Sequence, residues 1–248
     1  MKLITGEHMY RIKNSKELEN LIEYTNLNNL ATDDEMEEFL NKASELNFRS
    51  VVINPSYLDM AKDILGDSET EIITVVGFPL GFETIDSKVK EAEIAVGNGA
   101  DGVEMVINLG DVKNGKFDKI QKEAEAVKKA IGDKTLKVII ETKALQDNEK
   151  AKVAQALEAA DVDYIATSTG FVNPNTIYED VTDITLLKKH APKTKVKVSG
   201  WITNYKLVNQ LLTGGADLIG SVEGYEIVKD YQDLRENTKV NPTPITLS

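Results

Sequence analysis

The chain predicts a closed (β/α)8 barrel of the α/β class, and three observations carry that expectation. Eight short, apolar, β-rich runs recur along its 248 residues. Helical patterns separate them. No low-complexity segment or Pro/Gly/Ser linker divides the chain, so one domain is expected over residues 1–248. Strands alternating with helices at this spacing imply parallel βαβ units. Eight such units in a chain of this length match the size of a TIM barrel.

The strands are expected near residues 21–25, 50–54, 72–76, 102–107, 136–141, 163–167, 195–199 and 216–220. The segments between them carry apolar residues at i, i+3, i+4 intervals, as in Val89, Ala92, Ile94, Ala95 and Val96. Asp33, Asp86 and Asn148 stand where helix N-caps are expected, and Thr32 precedes Glu35 in capping-box spacing. Residues 237–248 read as a loose tail.

Composition narrows the function classes. A net charge of −12 argues against a protein that tracks nucleic-acid phosphates, which needs a basic stripe. Hydrophobic residues make up 41% of the chain, but no window approaches the roughly 18 uninterrupted apolar residues of a membrane span. Residues 1–8 are too short and too polar a start for a signal peptide, so a soluble, cytoplasmic protein is expected. With no cysteine, disulfides, thiolate metal sites and a Cys nucleophile are excluded. The two histidines, His8 and His190, are far apart and beside no acidic cluster, which disfavours a His-based metal site or triad.

Chemistry in such barrels sits at the C-terminal ends of the strands. Four positions there are unusual. Glu104 interrupts an apolar strand, Lys143 directly follows Ile140-Glu141-Thr142, Lys197 sits between Val196 and Val198, and Ala166 occupies the matching place in Tyr164-Ile165-Ala166-Thr167. Strand parity puts Lys137, Ile139, Glu141 and Lys143 on one face if the strand runs that far, and likewise Lys195, Lys197 and Ser199. A lysine facing a barrel interior is desolvated, and a second ammonium nearby lowers its pKa further. Such an amine can attack a carbonyl and form a Schiff base, with a carboxylate such as Glu104 moving protons. The plainer alternative is that strand-end lysines reach solvent and mid-strand charges form structural ion pairs.

At this point the sequence resembles the deoxyribose-phosphate aldolase family. The motifs run in order: Val51-Val52-Ile53-Asn54-Pro55-Ser56-Tyr57, Val76-Gly77-Phe78-Pro79-Leu80-Gly81 and Gly99-Ala100-Asp101-Gly102-Val103-Glu104. They continue through Lys137-Val138-Ile139-Ile140-Glu141-Thr142, Thr167-Ser168-Thr169-Gly170-Phe171, Lys197-Val198-Ser199-Gly200 and Gly214-Gly215-Ala216-Asp217. The resemblance implies a metal-free, cofactor-free class I aldolase. It would join acetaldehyde, as an enamine on lysine, to glyceraldehyde 3-phosphate, or run the cleavage. Barrels of this type commonly form dimers, which makes a homodimer the assembly to test, although no exposed apolar seam stands out.

The chain departs from the family pattern at the site itself. The Schiff-base lysine precedes Thr-Ser-Thr-Gly in the family, and Ala166 stands there. Glu104 replaces the proton-transfer aspartate, and Lys197 matches the second lysine. Gly200-Trp201 replaces Gly-Gly, and Gly220-Ser221-Val222-Glu223 replaces the usual Ser-Ser segment. Trp201 would crowd a phosphate, Glu223 would repel one, and Phe82 follows Gly81 where the family has a small residue. So many pocket changes on an intact scaffold suggest deliberate redesign.

The expectation is therefore an aldolase or retro-aldolase for a hydrophobic, unphosphorylated carbonyl compound. Lys143 would be a relocated nucleophile, Lys197 its pKa-lowering partner and Glu104 the proton shuttle. Trp201, Phe82, Ala166, Thr169, Gly170, Gly200 and Ser221 would bind substrate. A close variant makes Lys197 the nucleophile. The alternatives are a homologue silenced by Ala166, or deoxyribose-phosphate cleavage by another lysine.

Overall fold

Each strand divides its side chains between two environments, and that division builds the barrel. The computed structural model describes residues 12–171 and 181–240. Eight strands run β1 (Ile22–Asn26), β2 (Ser50–Ile53), β3 (Glu71–Val76), β4 (Gly102–Val106), β5 (Thr135–Ile139), β6 (Tyr164–Ala166), β7 (Lys195–Ser199) and β8 (Leu218–Ser221). They pair in parallel in chain order, and β8 closes onto β1. The helices are α1 (Ser15–Glu19), α2 (Asp33–Leu46), α3 (Leu58–Leu65), α4 (Ile85–Gly97), α5 (Leu109–Lys113) and α6 (Phe117–Ile131). They continue with α7 (Asp147–Ala159), α8 (Thr182–His190), α9 (Tyr205–Thr213) and α10 (Gly224–Val240).

Outward strand residues such as Val51, Ile53, Val103, Met105, Leu136, Val138, Val196 and Val198 form one buried core with helix residues such as Met36, Leu40, Ala92, Val127 and Leu157. That apolar layer drives folding, at about 25 cal/mol per Å² removed from water. Alternate residues point inward. Two small apolar groups lie there, Leu27, Val52, Ile73 and Val75 in one and Val106, Ile139 and Ala166 in the other, with Phe78 packed against both. The interior also holds charge: Glu23, Glu104, Lys137 and Lys197 are all buried.

A further buried lysine anchors the mouth from outside. Lys88 on α4 donates to Val106 O at 2.6 Å, Gly81 O at 3.0 Å and Glu123 on α6 at 2.7 Å. It thereby ties the loop after β3 to the end of β4.

Several expected boundaries move. The capping box at Thr32 and Glu35 forms, and Thr32, not Asp33, is the N-cap of α2. Thr84 rather than Asp86 caps α4, and Gln146 rather than Asn148 caps α7. The acidic Asp33 and Asp86 then fall in first turns, where they oppose the positive end of the helix dipole. The fifth strand stops at Ile139, because Glu141 takes a left-handed conformation (φ 51°) that breaks the alternation. Residues 237–240 belong to α10 rather than to a loose tail. Residues 1–8, His8 included, and 241–248 lie outside the described residues. Among the described residues no helix is long and apolar enough to cross a membrane.

Candidate active site

The C-terminal ends of the strands surround a cavity of about 530 Å³, the size of a small-molecule site. Lys197 and Glu104 lie in its floor, and Lys197 is the one lysine among the described residues that line it. Lys197 comes from β7, where parity points it inward, and it pairs in register with Ala166 of β6. Its stem needs a glycine opposite. A Cβ at Gly220 would stand 2.7 Å from Lys197 Cε and 2.6 Å from Ser199 Oγ.

Lys197 is almost wholly buried and donates to Glu104. On its other side Glu23 Oε2 lies 2.5 Å from Lys197 Nζ. Glu23 also contacts the amine of Lys137 and accepts a hydrogen bond of 2.6 Å from the Ser50 hydroxyl. Four charged groups from β1, β4, β5 and β7 thus form one continuous cluster along the barrel axis. Burial holds the Lys197 amine below the ordinary lysine range, although Glu104 opposes that shift. Burial, and then the charge of Lys197, hold Lys137 well below it. A desolvated amine that faces a cavity is the form that attacks carbonyl carbon.

The sequence pointed to Glu104 and Lys197, and the structure brings them together. It does not bring Lys143 to them. The parity argument for Lys143 needed β5 to continue to residue 143, but the strand ends at Ile139 and a 3-10 turn covers Thr142–Ala144. Lys143 Nζ lies 3.4 Å from Asp183 Oδ2 on α8, and Lys143 is not in the cavity wall. Phe82 is also outside that wall; it is 65% exposed and leans toward Gly110. Ala166 is fully buried beneath the wall, packed with Ile139 and Val106. Thr169, Gly170, Gly200, Trp201 and Ser221 do line the cavity.

Sequence reasoning missed Glu23, and it named Lys137 for its face without giving it a place in the site. Both signals were present, a single charge in each of Ile22-Glu23-Tyr24 and Leu136-Lys137-Val138, on the inward parity. Phe78, Phe171 and Leu27 were missed as well, and they make the rim largely apolar. Phe78 and Phe171 meet edge to face at 5.2 Å.

At the end of β8 the site is held by internal bonds. The Ser221 hydroxyl is buried and donates to Ile202 O at 2.6 Å, and the Glu223 N–H donates to Ser221 Oγ at 3.0 Å. Trp201 stands half exposed in the wall beside them. Among the described residues no group of three or more His, Asp or Glu is placed to hold a metal ion.

Residues 11–219 match the sequence model of the DeoC/LacD family aldolases. The chain is 41% identical to a deoxyribose-phosphate aldolase of Staphylococcus carnosus (strain TM300), over 84% of this chain and 94% of that protein. The structure of a chain named QR15, an aldolase, is similar with a TM-score of 0.83 and 31% identity, covering 92% of this chain and 99% of that one. A deoxyribose phosphate aldolase from Aeropyrum pernix, described as a unique tetramer, shares the fold with a TM-score of 0.79 at 24% identity, over 90% and 94% of the two chains.

Proposed function

Because the chain belongs to the DeoC/LacD family of aldolases, which are carbon–carbon lyases, we propose that it is a class I aldolase or retro-aldolase whose imine forms on Lys197. The observation that carries this reading is that Lys197 is the one lysine among the described cavity-lining residues, with Glu104 against its amine.

The neutral amine of Lys197 adds to the carbonyl carbon of the substrate, and the carbinolamine then loses water to give an iminium. The iminium draws electrons from the neighbouring carbon–carbon bond. In the cleavage direction that bond breaks as Glu104 takes the hydroxyl proton, a carbonyl fragment leaves, and an enamine remains on Lys197. Glu104, in contact with the same amine, takes and returns the protons of carbinolamine formation and enamine protonation. Hydrolysis of the second iminium frees the lysine.

The substrate is a hydrophobic carbonyl compound without a phosphate. Trp201, Phe171, Phe78 and Leu27 supply apolar and aromatic surface around the amine. The Ser221 hydroxyl and the Glu223 N–H, donors that a phosphate would need, are spent on internal bonds. Assembly as a homodimer belongs to the same proposal and is checked by sedimentation.

The test is borohydride trapping with a panel of aromatic and aliphatic aldehydes and ketones, followed by peptide mapping. An adduct on Lys197 that is lost in Lys197→Met supports the reading. An adduct on Lys143, lost in Lys143→Met, would instead establish a relocated nucleophile. No adduct on a folded protein would leave a silent scaffold.

A further inference from the structure

The amine proposed to form the imine does not stand on Glu104 alone. Glu23 and Lys137 extend the cluster beneath it, and neither lines the cavity. Glu23 is exposed to neither solvent nor the cavity; its relative exposure is 0%. One of its oxygens faces Lys197 at 2.5 Å, and the other contacts Lys137 and accepts from Ser50. The carboxylate is thus divided between two lysines and a hydroxyl.

We propose that Lys137 and Glu23 are positioning residues that set how readily Lys197 gives up its proton: Lys137 and Ser50 draw on the Glu23 carboxylate and so weaken its hold on the Lys197 ammonium. The inference rests on Lys197 as the imine-forming amine and says what tunes it.

Lys197 and Lys137 compete for one carboxylate in a medium of low polarity. Two carboxylates, Glu23 and Glu104, contact Lys197, and an opposite charge at that range shifts a pKa by about 1–3 units toward the charged form. Undivided, that pair would lock Lys197 as an ammonium, which cannot attack a carbonyl. Lys137 prevents this by occupying the other oxygen of Glu23.

The other groups facing the cluster are few. β2 contributes Ser50, β6 contributes Tyr164, whose ring lies 5.6 Å from Lys137 Nζ and 5.3 Å from Lys195 Nζ, and Asp163 acts on Lys137 from the start of β6. β3 supplies the apolar Ile73 and Val75, and β8 supplies Gly220. Of these, only Ser50 reaches the oxygen of Glu23 that Lys137 contacts.

The test follows the rate at which a 1,3-diketone condenses with Lys197, measured against pH. The amine nitrogen bonds to a carbonyl carbon, water leaves, and a stable, absorbing enaminone remains, so the profile reports the neutral amine without turnover. Lys137→Met should move the half-maximal pH up by roughly one unit or more, and Glu23→Gln should move it down by a similar amount. Ser50→Ala, a deletion of one hydroxyl that keeps the test open if the charge variants fold poorly, should move it up by less.

A wild-type profile that Lys137→Met, Glu23→Gln and Ser50→Ala all leave in place would overturn the proposal, as would Lys137→Met and Glu23→Gln shifting it the same way. A wild-type protein whose Lys197 does not react at all would instead refute the imine assignment.

Discussion

The Glu141 carboxylate accepts two hydrogen bonds from Thr169, one from its backbone N–H at 3.0 Å and one from its hydroxyl at 2.7 Å. Thr169 Oγ1 in turn accepts from the Phe171 N–H at 3.1 Å. The left-handed backbone that ends β5 at Glu141 therefore aims a carboxylate at the loop after β6, and that loop carries part of the cavity wall.

Glu141→Ala should leave the Thr169 N–H buried without its acceptor, at a cost of about 1–3 kcal/mol. Urea unfolding checks the stability. Because Phe171 would lose its register against Phe78, KM for aromatic substrates should rise while diketone labelling of Lys197 persists.

Lys88 and Glu123 make a buried pair at 2.7 Å, and removing one partner from such a pair costs about 3–5 kcal/mol. Lys88→Met should show that loss in its denaturation midpoint. The double variant Lys88→Met/Glu123→Leu should recover only part of it, because the carbonyls of Gly81 and Val106 also lose their donor. Full recovery would mean that those two bonds contribute nothing.

Ala166→Lys places an amine beside Lys197 on the neighbouring strand. Borohydride trapping should then map an adduct to position 166. Cleavage of deoxyribose 5-phosphate should stay low until Trp201→Gly is added, since Trp201 still stands in the cavity wall. Efficient cleavage by Ala166→Lys alone would show that the phosphate side is intact.

Acid should weaken the fold partly through Asp183. Burial alone would raise its pKa, but the 2.6 Å bond from Lys150 and the charges of Lys150 and Lys143 outweigh that and hold it below the ordinary value. A depressed carboxylate contributes stability that is present above its unfolded pKa of about 3.9 and is lost as pH falls through the lower folded value. Asp183→Asn should therefore lower stability near neutrality and flatten the acid limb of the stability curve. A parallel limb in both proteins would show that the pair contributes nothing.

The sequence by itself determined the architecture. Eight β-rich runs separated by amphipathic helices in a chain of this length match a closed barrel, and strand parity put Lys197 on one face with Lys195 and Ser199 with no reference to tertiary contacts. Capping chemistry at Thr32 and Glu35 was legible for the same reason, because it acts within one turn. What the tertiary structure decided is which charges meet. Lys143 shares the face of Lys137 only if β5 runs past Ile139, and β5 ends there. A single left-handed residue at Glu141 turned Lys143 toward Asp183, on a helix some forty residues further along. Glu23 and Lys137 lie more than one hundred positions apart in the chain and become one unit only when β8 closes onto β1, for periodicity fixes the face a side chain takes but not its partner across a closed sheet.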